Sequence, residues 1–155
     1  DGEANNSNIS QYGRNQDATI TQIGDGNISG MAGTANLGIV QVGENQTANL
    51  LQEGDRNSSV IQQGTAGNFT LITAASSDGN TANINQTGDD GESRVTQNGD
   101  NNRATLNQDG DFNESTIIQS GNGNIAGVTQ GDVGNLSTIT QTGSGHNAAV
   151  FQNQP

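Results

Sequence analysis

An all-β fold, a two-sided β-solenoid of seven stacked strand–arc–strand coils, is what this 155-residue chain predicts. Three observations carry that reading. Gln86, Gln97, Gln108, Gln119, Gln130, Gln141 and Gln152 follow one another at steps of eleven, and Gln11–Gln22 and Gln41–Gln52 keep the same step. Self-similarity at a fixed period marks a stacked-repeat architecture. Ahead of each glutamine runs a period-two alternation of inward and outward residues, the pattern of a strand with one buried face. The small inward residue also alternates from strand to strand. Ser7, Ser29, Ala48, Thr70, Ser93, Ser115 and Ser137 stand on the odd strands, and Ala18, Leu37, Ser58, Ala82, Ala104, Ala126 and Ala148 on the even ones. The true unit is therefore a pair of strands, about twenty-two residues.

Each element follows the template of Asn102 to Gln108, where Asn102, Ala104, Leu106 and Gln108 point inward and Arg103, Thr105 and Asn107 outward. The linker before it, Asn98-Gly99-Asp100-Asn101, is turn chemistry throughout, with glycine for unusual dihedrals and Asp and Asn for local backbone bonding. Laid along the chain, the template gives a short tail at 1–4, units at 5–22, 27–41, 46–62, 68–86, 91–108, 113–130 and 135–152, and an end at 153–155. The expected structural ladder is Gln11, Gln22, Gln41, Gln52, Gln62, Gln86, Gln97, Gln108, Gln119, Gln130, Gln141 and Gln152, with Asn27, Asn68, Asn80, Asn102, Asn113, Asn124 and Asn135. The expected turn glycines are Gly13, Gly24, Gly43, Gly54, Gly64, Gly88, Gly99, Gly110, Gly121 and Gly143.

With the inward faces opposed, Ile117 is expected to meet Ala126, Ser115 to meet Val128, Gln119 to meet Asn124 and Asn113 to meet Gln130. Large against small keeps the core thickness constant. Coils are expected to stack in register about 4.7–4.8 Å apart. Inward amides then form ladders, which satisfies polar groups that would otherwise be costly to bury. Solvent-exposed filler in a disordered chain is the competing reading of the Gln and Asn residues, but filler has no reason to stay in phase with the serine, alanine and aliphatic positions.

The rhythm breaks in places. Gly33 stands in a glutamine slot and Ala35 in the facing asparagine slot, so Met31 and Leu37 face each other. Ala74 replaces another glutamine, with twelve-residue steps on both sides. Gln62 and Gln63 compete for one slot: register from Gln62 buries Arg56, register from Gln63 buries Asn57 and Ile61, and a bulge is expected there.

Composition excludes several functions. Hydrophobic residues are 28% and the formal net charge is −12, which without the repeat reads as disorder. A solenoid needs only a thin apolar row shared by neighbouring coils. Lysine is absent and the four arginines, Arg14, Arg56, Arg94 and Arg103, are scattered, so no nucleic-acid partner is expected. Cysteine is absent, which removes disulfides, thiolate metal sites and cysteine nucleophiles. No apolar run has the length of a membrane span. The start at Asp1 suits a processed, exported protein. His146, the single histidine, sits in an inward asparagine slot of the last coil as a polar spacer, without the partners catalysis needs. Gly88-Asp89-Asp90-Gly91-Glu92 offers oxygen ligands for a hard cation, but lacks the calcium-binding nonapeptide and reads as a solvated turn. No enzyme activity, cofactor or metal is expected.

The stretch from Ser115 to Gln130, with Gln119, Gly121, Gly123, Asn124 and Ala126, resembles the curlin repeat, Ser-x5-Gln-x-Gly-x-Gly-Asn-x-Ala-x3-Gln, of bacterial curli fibre subunits. The serine stands four residues before its glutamine, and Asn113 takes the usual six-residue offset. Gln22-Ile23-Gly24-Asp25-Gly26-Asn27 and Gln141-Thr142-Gly143-Ser144-Gly145 repeat the turn, and the likeness runs from Asn5 to Gln152. The resemblance implies a curli-type major fibre subunit: secreted, extracellular, cross-β when assembled, polymerising with itself into biofilm-matrix fibres that mediate adhesion. It further implies a nucleator subunit and outer-membrane secretion machinery as partners, and no membrane insertion. A monomeric solenoid, as an adhesin stalk or an ice-binding-type surface protein, is the alternative. Outward pairs such as Thr19/Thr21, Asn83/Asn85 and Ala149/Phe151 share no lattice, and end coils at Asn5 and Gln152 leave no room for caps, so open ends are expected.

Overall fold

The computed structural model describes residues 2–29, 38–63 and 77–153. All strand pairs among them are parallel and fall into two sheets. The first holds β1 (Ile9–Arg14), β3 (Ile28–Ser29), β4 (Ile39–Glu44), β6 (Ser58–Gln63), β7 (Ser77–Asp78), β9 (Glu92–Asn98), β11 (Glu114–Ser120) and β13 (Leu136–Thr142). The second runs β14 (Asn147–Asn153), β12 (Ile125–Gly131), β10 (Arg103–Asp109), β8 (Thr81–Thr87), β5 (Thr47–Glu53), β2 (Asp17–Ile23). Each coil contributes one layer to each sheet, and like stacks on like: Ser115 on Ser137, Ile117 on Ile139, Gln119 on Gln141. This is the all-β solenoid that the periodicity predicts.

The described layers number six, where seven coils are expected from the sequence. The second sheet has six strands, one per layer. In the first sheet β3 and β4 share a layer, because Ile28 pairs with Ser58 and Ile39 with Ile61, while Asn6 bridges Ile28 and Ile9 pairs Ile39. β6 and β7 share the next layer, since β4 pairs with both. The predicted units 27–41, 46–62 and 68–86 are therefore regrouped. Coil 2 takes residues 27–29 and 38–53, and coil 3 takes 57–63 and 77–87.

This regrouping corrects the sheet assignment as well. Ala48 stacks between Ala18 and Ala82, on the alanine side, and Ser59 pairs with Ser29 and Ser93 on the serine side. Ser58, expected inward, pairs with Glu92 on the outer face. With the layers set this way, every described coil from the second to the sixth places serine inward on one sheet and alanine on the other. The departures expected at Met31, Gly33, Ala35, Leu37, Thr70 and Ala74, with Gly64 and Asn68, lie outside the described residues.

The core is one row wide. Ile39, Leu50, Ile61, Ile84, Val95, Leu106, Ile117 and Val128 are 2% exposed or less, packed with Ala48, Ala82, Ala104 and Ala126. Two bulky aliphatics per coil, each contributing roughly 1.5–3 kcal/mol on full burial, is little for some twenty residues. Shared backbone ladders and satisfied buried amides supply the rest of the cohesion. Val40, Val42 and Val60 are also buried although they lie on the outer face of the first sheet.

Turns repeat as faithfully as strands. In each, a glycine or its substitute opens the arc and a residue two further on adopts the left-handed region, as at Asn45, Asn101 and Gly123 on one side and Arg56, Asp90, Phe112 and Gly134 on the other. Gly121 shows why the opening residue is almost always glycine. Its φ is +111°, and an added Cβ would fall on the Gly143 carbonyl oxygen of the next coil.

Candidate functional site: the amide columns and the end coils

Two glutamine columns run through the stack. On the first sheet Gln11 Nε2 donates to Gln41, Gln41 to Gln63, Gln63 to Gln97, Gln97 to Gln119 and Gln119 to Gln141, each at 2.9–3.0 Å. On the second, Gln22, Gln52, Gln86, Gln108, Gln130 and Gln152 form the same chain at 2.8–3.1 Å. The second amide hydrogen is used too. Gln97 reaches Thr81 O at 3.0 Å and Gln119 reaches Arg103 O at 3.1 Å, so each glutamine also ties one sheet to the other. An amide that is 0% exposed, as Gln97 and Gln119 are, is tolerated because both hydrogens and the oxygen are engaged.

Gln62 is not in this column. It pairs with Thr96 on the outer face, while Gln63 is buried between Gln41 and Gln97. Asn57 and Ile61 are buried with it and Arg56 is exposed. The expected bulge does not form: β6 pairs with β9 without interruption from Ser58 to Gln63. Burial of an aliphatic and an asparagine decides the register against burial of a guanidinium.

The asparagines do different work from the glutamines. The expectation of an amide-to-amide ladder is corrected by Asn102, whose Oδ1 accepts the backbone N–H of Asn124 at 3.0 Å and whose Nδ2 donates to Gly121 O at 2.7 Å. Asn27, Asn57, Asn80 and Asn124 repeat the second contact with Gly54, Gly88, Gly99 and Gly143. Each is a turn cap for the coil that follows. Their shorter side chain reaches the arc, whereas glutamine reaches its own counterpart. Asn113 likewise caps Asp132 O at 2.9 Å, and Ser115 Oγ, not Asn113, meets Gln130, at 2.5 Å. Asn135 is the exception, its Nδ2 donating an amide-to-amide hydrogen bond to Asn113 Oδ1 at 3.2 Å.

The expected ladder set omits Asn5, Gln16, Asn57 and Gln63, although the competing register from Gln63 already placed Asn57 inward. Asn5 caps Gly24 O at 2.7 Å and Gln16 caps Gly43 O at 2.9 Å. The signal for two of them was present: Asn57-x-Ser59-x-Ile61-x-Gln63 repeats Asn113-x-Ser115-x-Ile117-x-Gln119 residue for residue.

Charges stay on the rim. Arg14 pairs with Glu44, and Arg56 with Asp90 at 2.6 and 2.7 Å, each one coil onward. The hydrogen bond from Arg56 holds the Asp90 carboxyl below the usual range. Among the described residues no group of three or more His, Cys, Asp or Glu side chains is placed to hold a metal ion, and no helix is long and apolar enough to cross a membrane.

At the two ends of the described stack, β1 and β2 each pair with one strand, as do β13 and β14. Ile9 and Tyr12 are 41% and 47% exposed there, and Phe151 is 79% exposed.

No curated protein matches the chain. The family model of the curlin associated repeat matches twice, over residues 77–110 and 99–131, the span in which the coils are most regular. Residues 77–131 are thus similar to the curlin associated repeat.

Proposed function

We propose that this chain is the structural subunit of an extracellular, curli-like amyloid fibre, polymerising end to end by templated stacking of one copy's last coil on the next copy's first. Register is the observation that carries the reading. Coil 6 repeats coil 1 inward residue by inward residue: Asn135 and Asn5, Ser137 and Ser7, Ile139 and Ile9, Gln141 and Gln11, then Ala148 and Ala18, Val150 and Ile20, Gln152 and Gln22. A second copy set on the stack thus meets the same partners as an internal coil. Strands with one side unpaired are templates for another chain.

On this reading the fibre builds biofilm matrix and mediates adhesion. Its growth begins on a nucleator subunit, and the chain leaves the cell through outer-membrane secretion machinery, both by family resemblance. The columns of Gln and Asn provide cohesion, the turn glycines Gly13, Gly24, Gly43, Gly54, Gly88, Gly99, Gly110, Gly121 and Gly143 permit the arcs, and no catalysis is involved.

The test is helical reconstruction of fibres grown from the purified chain. The six described layers give an axial advance of about 29 Å per subunit, taking about 4.8 Å per layer. A chain that stays monomeric under all seeding conditions would favour an adhesin stalk, and a subunit lying flat in one layer would end the solenoid reading.

A further inference from the structure

The geometry points to His146 as the residue that makes the subunit junction sensitive to pH, an inference that rests on the end-to-end assembly proposed above. His146 is the last member of a cap column running Gln16, Gln46, Asn80, Asn102, Asn124, His146, one per coil. The three asparagines serve the next coil in one way. Asn80, Asn102 and Asn124 donate Nδ2–H to Gly99, Gly121 and Gly143 carbonyls at 2.7–2.8 Å. Their Oδ1 atoms accept the backbone N–H of Asn102, Asn124 and His146 at 2.8–3.0 Å.

In the assembled fibre, the coil that follows His146 is coil 1 of another copy. There the Gly13 carbonyl needs a donor and the Gln16 backbone N–H needs an acceptor. A neutral imidazole supplies both, with a donor nitrogen and an acceptor nitrogen flanking one carbon as N and O flank the carbon of an amide. An imidazolium has two donors and no acceptor, so Gln16 N–H would face another N–H. The ring lies over its own arc on the side where a following coil stacks: a Cβ added to Gly143 would stand 2.9 Å from His146 Nε2, as one added to Gly121 meets the carbonyl of the next coil.

The surroundings leave this sign unchanged. On its own chain Thr140, Gln141, Thr142, Asn147 and Ala148 line one shallow depression with His146, and Asn124 Oδ1 accepts its backbone N–H; none of them carries an acid or a base. The incoming coil brings Tyr12, Arg14 and Asp17 beside Gln16. Arg14 is held by Glu44, and Arg14 and Asp17 are exposed, of opposite charge. Loss of the acceptor therefore governs, and the junction is strongest when His146 is neutral. Histidine is the side chain whose ordinary titration falls between pH 5 and 8.

The test compares seeded elongation of the full chain and of His146→Asn from pH 7.5 to 5.5 at constant ionic strength. Wild-type elongation is expected to fall severalfold as the imidazole gains its second proton. The asparagine variant, which restores the column's own amide, should elongate at a constant rate. Fibres of both chains with the same pH profile, falling or flat, would overturn the role of His146 and leave end-to-end assembly standing. Absence of fibres from both chains at every pH would overturn the two together.

Discussion

Gln119 Nε2 donates to Gln141 Oε1 at 2.9 Å, across twenty-two residues of sequence and one layer of structure. The same amide accepts from Gln97 and donates to Arg103 O, so no polar atom of its side chain is left unpaired. Burial of such a group is favourable only while every partner is present.

Gln119→Ala removes the partner of Gln97, of Gln141 and of the Arg103 carbonyl at once. A loss on the order of 1–3 kcal/mol for each orphaned buried group is expected. Gln62→Ala, on the outer face, should change stability by no more than about 0.5 kcal/mol. Guanidinium midpoints of the two variants decide the matter; equal losses would mean the buried column is not what holds the coils.

The arc after β11 separates two glycine roles. Gly121→Ala meets both a φ of +111° and the Gly143 carbonyl, and should cost more than about 3 kcal/mol. Gly123→Ala has φ +67° and nothing within 4 Å of the new methyl, so only the left-handed penalty of about 1–2 kcal/mol applies. The order of the two midpoints is the readout, and a reversed order would refute the arc geometry.

The Arg56–Asp90 pair predicts a pH effect of known sign. Asp90 is held below its ordinary value by the Arg56 hydrogen bond, so its contribution is complete above the ordinary carboxylate range and is lost as pH falls through the lowered value. In Arg56→Ala the Asp90 titration, followed by NMR of its carboxyl carbon, should move up toward the ordinary range. Because the Arg56 side chain is 60% exposed, added salt should shrink the difference. An unmoved titration would show that the pair does not persist in solution.

Legibility in the sequence followed the integrity of the arcs. From Asn80 to Gln152 every strand and turn is uninterrupted, the steps stay at eleven, and the predicted register agrees with the observed pairing. Coils 2 and 3 were misassigned because counting along the chain treats every residue as part of the stack. The strand that includes Ser29 resumes at Ile39, and partner choice depends on where the backbone re-enters the sheet. Residue type kept the phase that spacing lost: Ser59, Ile61 and Gln63 carry the same chemistry as Ser93, Val95 and Gln97. The split between glutamine ladders and asparagine caps was illegible for another reason. Both side chains end in the same amide, and only the distance from the strand to the next arc tells them apart.

Within the described stack each glutamine that has a following coil donates to the glutamine of that coil, and the caps at Asn80, Asn102 and Asn124 donate the same way. A stack built so is vectorial, with a leading face and a trailing face that are chemically unlike. Two copies cannot meet through a two-fold axis, because one face would then present its amide hydrogens to an identical set. On the end-to-end assembly proposed above only head-to-tail contact remains, and since stacking alone never brings the ends back together, that assembly would be open and heterologous. On that proposal an isolated pair of subunits would be no closed dimer but the shortest length of a filament, with two tips expected to grow at different rates.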